Sequence, residues 1–295
     1  MTPHTIEPPA TRPVLGVHDA HRTVEGAGLP VRRSIPGGKR PHLDPFLLLD
    51  HFGPVDFAPG EASGVPDHPH RGFETVTYIL EGRLEHKDSQ GHGAVLGPGD
   101  VQWMTAGSGI VHSEMPEAAF KETGGVLHGF QLWVNLPAAD KMTRPRYQDL
   151  EASDIPVAQG DGVTVRVVAG EALGQSGAVQ TRIPITYLHA RLAPGGAVTL
   201  PLPAEQDAAA YVFGGRVAVG GETVTEGQLA VFGDGDRITL ENNDRDDAQV
   251  LILGGTPIRE PIARYGPFVM NTEAQIQEAI RDHRQGRMGR IAATA

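Results

Sequence analysis

The stretch FETVTYILEGRLEHKD, residues 73–88, decides the fold. β-Branched and aromatic residues crowd both sides of Glu81-Gly82, a composition that suits a pleated, half-buried surface. The stretch reads as a hairpin, or as two strands meeting at a tight corner. Further short strands follow closely: GHGAVLGPGD (91–100), VQWMTAG (101–107), GIVHSEM (109–115) and LHGFQLWVNLP (127–137). Many short strands divided by Gly and Pro turns predict a small barrel or sandwich. From residue 161 the order returns, with ITYLHARLAP (185–194), AVTLPL (197–202), AAAYVFGGRVAVGG (208–221), QLAVFGDGDRITLEN (228–242) and AQVLILGG (248–255). We read the chain as all-β, with two domains of related plan over 1–140 and 141–295. One extended sandwich is the alternative.

The remaining segments carry weaker patterns. Residues up to about 40 read as irregular, 43–53 as one strand, 54–70 as a long loop rich in turn formers, and 138–160 as a connector. Near the C-terminus, NTEAQIQEAIRDHRQG (271–286) offers Asn or Thr as a cap and places Ile276 and Ile280 four apart, which predicts a helix.

Composition narrows the function. The 295 residues include 25 Lys plus Arg against 36 Asp plus Glu, a formal charge of -11, which disfavours nucleic acid and anionic membranes as partners. Cysteine is absent, which excludes thiolate zinc, iron–sulfur clusters, a Cys nucleophile and disulfides. No basic start leads into an apolar run, and no apolar stretch is long enough for a membrane helix. A soluble cytoplasmic protein is the expectation.

The densest chemistry lies in DHPHRGFE (67–74) and VHSE (111–114). His68 and His70 are two apart, as are His112 and Glu114. In extended backbone such pairs share a face, so two adjacent strands can aim four ligands at one point. Imidazole and carboxylate without sulfur suit Fe(II), Mn, Ni, Cu or Zn. Spacing alone is equally compatible with polar loop residues or hydrogen-bonded histidines, since the chain holds 13 of them.

HPHRGFETVTYILEG (68–82), PGDVQWMTAGSGIVHSEMP (98–116) and GGTPIREPIARYGPFVMNTEAQI (254–276) resemble the pirin family, a group of bicupins within the cupin superfamily. The resemblance spans most of the chain and implies two β-barrel, jelly-roll cupin domains with a short C-terminal helix. It also implies one divalent metal, Fe(II) first, on His68, His70, His112 and Glu114 of the N-terminal cupin. The general cupin motif would place a ligand at Glu74. The pirin pattern uses Glu114 instead and leaves Glu74 as a supporting residue and backup ligand. At the matching places the second half, EQDAAAYVFGGRV (205–217) and GDGDRITLENNDRDD (233–247), has no histidine, so a metal-free second cupin is expected.

Some pirins act as quercetin 2,3-dioxygenases, which cleave a flavonol ring and release carbon monoxide. The resemblance therefore implies a flavonol, or another enolizable aromatic compound, and dioxygen as substrates. Glu114 would be both ligand and catalytic base. Phe46, Phe52, Met104, His128, Gln131 and Trp133 are expected to line the pocket, with His128 as an outer hydrogen-bond donor. Arg71 is expected to pair with an acid and fix its loop. Other pirins act as nuclear cofactors whose iron tunes a transcription-factor interface. That implies an alternative, a non-catalytic, metal-dependent regulator of a transcription factor or metabolic enzyme. A monomer is expected.

Overall fold

Gly82 sits at φ +84°, and a Cβ there would lie 2.7 Å from the carbonyl oxygen of Val126. Only glycine makes this turn without strain. It joins Phe73–Glu81 to Leu84–Asp88, and the two strands belong to different sheets. The corner reading is therefore the right one, and the chain passes from one wall of a barrel to the other. The computed structural model describes residues 10–36 and 43–292.

The described residues form two compact units. One gathers those of Ala20–Ile155, Val179–Ile183 and 257–292. Its larger sheet has the order Arg146–Leu150, Val101–Thr105, Phe73–Glu81, Gly125–Asn135, Phe46–Phe57, Leu29–Ile35, His21–Glu25. Its smaller sheet runs Val65–His70, Ile110–Pro116, Leu84–Asp88, Gly93–Leu96. All neighbours are antiparallel.

The other unit gathers residues 10–19, Pro156–Ala178 and Pro184–Thr256. It repeats the plan strand for strand. Its larger sheet is Val157–Gly160, Val163–Ala169, Ile185–Leu192, Ala248–Gly255, Asp207–Gly214, Gln228–Phe232, Val14–Asp19, and its smaller one is Ala197–Pro201, Arg237–Glu241, Arg216–Val219, Glu222–Thr225. Two copies of one seven-plus-four plan are two barrels, not one extended sandwich.

The expected boundaries need correction. Residues 10–19 cluster with the C-terminal barrel and the C-terminal helix with the N-terminal one, so 1–140 and 141–295 do not delimit the units. The cause is edge pairing and packing. Val14–Asp19 adds to Gln228–Phe232, the place Arg146–Leu150 takes beside Val101–Thr105 in the other sheet. The helix Glu273–Arg284 buries Ile276 and Ala279 with Val111, Phe268 and Met270. Thr272 and Gln275 close a reciprocal capping box at its start, as the Asn-Thr signal predicts.

Three weak segments also differ from expectation. The first 40 residues supply three strands, Val14–Asp19, His21–Glu25 and Leu29–Ile35, whose exposed Leu15 and Val24 mask the apolar pattern. The 138–160 connector contains Arg146–Leu150 and Val157–Gly160, both edge strands. The 54–70 loop is shorter than read, because Phe46–Phe57 extends into it and Val65–His70 is a strand. Pro66 and Pro69 hid that strand. It is an edge strand, where proline's missing N–H costs little.

Candidate metal centre

Val65–His70 pairs with Ile110–Pro116 in a register that sets His68 opposite His112 and His70 opposite Ile110. The spacing of two then brings the ring nitrogens of His68, His70 and His112 within 4.8 Å of one another. Gly72 lets the chain leave this strand sharply. Its φ is +89°, and a Cβ would lie 1.9 Å from the carbonyl oxygen of Val269. Arg71 beside it reaches Ser108 O (2.7 Å) and pairs with Asp282 of the C-terminal helix (2.8 Å), so it fixes the loop as expected.

The hydrogen bonds assign the tautomers. His68 Nδ1 lies 2.8 Å from Pro66 O and His70 Nδ1 lies 3.4 Å from Pro267 O. A carbonyl only accepts, so each Nδ1 carries the hydrogen and each Nε2 keeps a lone pair. Those two Nε2 atoms are 3.0 Å apart. Two lone pairs cannot bond to each other, and a cation between them relieves the conflict. Nitrogens held at about 2.1 Å from one ion at a right angle are about 3.0 Å apart. His112 Nε2 is buried with no hydrogen-bond partner. An orphaned buried nitrogen beside two aimed lone pairs fits a metal site.

Burial pushes His70 and His112 well below the usual histidine range, so both are neutral and able to ligate at neutral pH. Burial pushes the Glu114 carboxyl up, opposed by His68 and by the Thr77 hydroxyl 2.7 Å from Oε1. Glu114 groups with His112 and His86 within 4.8 Å.

His86 is the residue that sequence reasoning missed. It stands opposite Glu114 on the next strand, its Nδ1 lies 3.4 Å from His112 Nδ1, and its Nε2 lies 3.1 Å from the Tyr147 hydroxyl. A His–His–Tyr chain of this kind fixes the His112 ring with Nε2 turned inward. Burial lowers His86 to about 4, so it acts as a neutral partner.

Glu74 lies three residues from Thr77, on the opposite face of their strand. It is buried against the Thr105 hydroxyl at 2.6 Å, apart from the imidazoles, and so supports the sheet.

A cavity of about 430 Å³ opens onto His68, His70 and Glu114. Phe52, Gln131 and Trp133 line it as expected; Phe46, Met104 and His128 do not. Phe46 is fully buried, and Met104 packs with Ala106, Ile110 and Tyr147. His128 faces the other side of the sheet, with its Nε2 2.7 Å from that of His51. The cavity's further wall carries Arg33, bonded to Asp50 at 2.7 and 2.6 Å and also to Glu25, and Arg264, whose guanidinium carbon lies 4.8 Å from the centre of the Trp133 ring.

The matching small-sheet strands of the C-terminal barrel bury Val198, Leu200, Ile238 and Leu240 in an aliphatic core. Among the described residues, no cluster of metal-ligand type occurs in that unit.

Two antiparallel barrels of one plan, with imidazoles converging inside one of them, define a bicupin. The comparisons agree. Family models described as Pirin and as the Pirin C-terminal cupin domain match residues 28–134 and 187–289. The chain is 46% identical over 270 residues to the rat (Rattus norvegicus) protein named Pirin, covering 90% of this chain and 89% of that one. It is 45% identical over 268 residues to the Pirin-like protein of tomato (Solanum lycopersicum), covering 90% and 89%. A crystal structure titled quercetin 2,3-dioxygenase from Acinetobacter baumannii superposes with a TM-score of 0.90 at 42% identity, covering 96% of this chain and 100% of that one. The chain belongs to the pirin family.

Proposed function

We propose that this protein is a metal-dependent dioxygenase of the quercetin 2,3-dioxygenase type. His68, His70, His112 and Glu114 hold one divalent ion, Fe(II) in the first instance; Mn, Ni, Cu and Zn suit the same donors. The observation that carries the reading is the cavity. About 430 Å³ is the size of a small-molecule site, and it reaches three of the four proposed ligands. A site sealed beneath a surface patch would have favoured the regulatory alternative.

When bound, the ion supplies Lewis-acid activation of a chelated enolate and redox chemistry toward dioxygen. The protein's own residues do the rest. His68 and His70 are held by backbone carbonyls with their Nε2 atoms inward. Glu114, whose carboxyl is raised by burial, accepts the flavonol hydroxyl proton as general base. The Thr77 hydroxyl steadies that carboxylate. Phe52, Leu48 and Trp133 give a flat substrate apolar walls and keep water out.

The test is oxygen uptake by Fe(II)-reconstituted protein with quercetin, beside His70→Ala. Metal-dependent uptake with carbon monoxide release is expected, and its absence from iron-loaded protein would overturn the proposal. Full turnover by metal-loaded Glu114→Gln would refute the base role alone.

A further inference from the structure

The cavity holds two arginines in different electrostatic states. Arg33 is spent. Its Nε and Nη2 bond both oxygens of Asp50, and Nη2 also meets Glu25, so one cation faces two carboxylates. Arg264 has no carboxylate partner among the described residues. Among the described residues its one hydrogen bond is a long one, Nη1 to Leu47 O at 3.3 Å. The guanidinium lies over Trp133, whose ring is in edge contact with His70 at 5.2 Å between centroids. Arg264 and Trp133 line the same cavity as His68, His70 and Glu114.

A guanidinium spread on an aromatic face keeps its donor edge directed outward in a fixed plane, which suits bidentate bonding to a carboxylate. Donors without a protein partner inside a ligand cavity are an available anion contact. Beside Leu29, Val31, Leu48 and Phe52, the wall carries Glu25 and Asp50, and the charge of both is met by Arg33, the cavity's other cation.

We propose that Arg264 is a specificity-determining residue, which selects aromatic oxygen chelators that carry a carboxylate beyond the chelating pair. Within the enolizable aromatic class read above, the preferred members are then those that also carry an anionic group, with neutral flavonols bound through the metal site alone. This rests on the reading of the four residues as a metal site. It adds that Arg264, seated over Trp133 beside His70, holds the substrate's carboxylate.

The test uses protein loaded with Co(II), whose ligand-field bands report binding without turnover. The probes are a matched pair of 5-hydroxy-4-pyranones: kojic acid, with a hydroxymethyl group at C2, and comenic acid, with a carboxylate there. Titrations are compared for wild type, Arg264→Gln and Arg264→Lys. The expected result is that Arg264→Gln weakens comenate by about ten-fold or more and leaves kojate within about two-fold, with Arg264→Lys between. Added salt should weaken comenate more in wild type than in Arg264→Gln. Kojate serves as the folding control, since a damaged barrel loses both probes. Equal loss of both probes, or no loss of either, would overturn the role of Arg264. Failure of wild type to bind Co(II), or Co(II) bands that His70→Ala leaves unchanged, would overturn the metal reading and this inference with it.

Discussion

Asp282→Ala tests the link between the C-terminal helix and the histidine strand. Asp282 pairs with Arg71 at 2.8 Å, and their side chains are 13% and 5% exposed. Removing the carboxylate leaves a buried guanidinium uncompensated, which costs about 3–5 kcal/mol for a fully buried pair. Arg71 keeps its 2.7 Å bond to Ser108 O, and Asp282 sits toward the rim, so about 2–3 kcal/mol is expected here. Trp103 and Trp133 are the protein's two tryptophans, and both lie in the N-terminal unit. Fluorescence during urea unfolding therefore follows that unit. The midpoint should fall by about 1 M at unchanged slope. Arg71→Met should cost less, because Asp282 keeps Arg287 as a partner at 2.8 Å. The double variant should be more stable than the sum of the single losses implies, by about 1–2 kcal/mol. A midpoint shift below about 0.2 M, or strict additivity, would refute the reasoning.

Other outcomes follow from the same geometry. Thr77→Val removes the hydroxyl that favours the charged form of Glu114, so metal affinity should fall by about 10-fold or more, measured by competition with a chromophoric chelator. His51 is held at about 3 by burial and by His128, so its stability contribution is present above pH 6.5 and is lost as pH falls toward 3. At pH 5.5 that loss is about 1.4 kcal/mol, and His51→Gln should reduce the acid sensitivity of unfolding by that amount relative to wild type. Gly72→Ala places a methyl group 1.9 Å from Val269 O at a left-handed backbone position, and should destabilise the N-terminal unit by more than about 2 kcal/mol in the urea assay.

The sequence made some of this architecture legible and hid the rest for physical reasons. Spacing of two showed that His68 and His70, then His112 and Glu114, could share a face, because the rule depends only on extended backbone. The Glu81-Gly82 corner and the Thr272 cap were equally local signals. His86 was hidden because its place beside Glu114 depends on a strand register between residues 24 to 32 positions apart. His128 was assigned to the pocket because its strand lines it, yet it lies three residues from Gln131 and faces the opposite side. The clustering of residues 10–19 with the C-terminal unit could not be read from a segment whose Leu15 is exposed and whose pairing partners lie at residues 228–232. Arg33, Asp50 and Glu25 come together only once three strands are laid side by side.

The most direct test of the central claim is X-ray absorption at the metal edge of Fe(II)-loaded protein, with wild type beside His112→Ala. One ion per chain with three imidazoles and oxygen donors at about 2.0–2.2 Å is predicted, falling to two imidazoles in the variant. Fewer than three imidazoles in wild type, or a shell that His112→Ala leaves unchanged, would contradict the account.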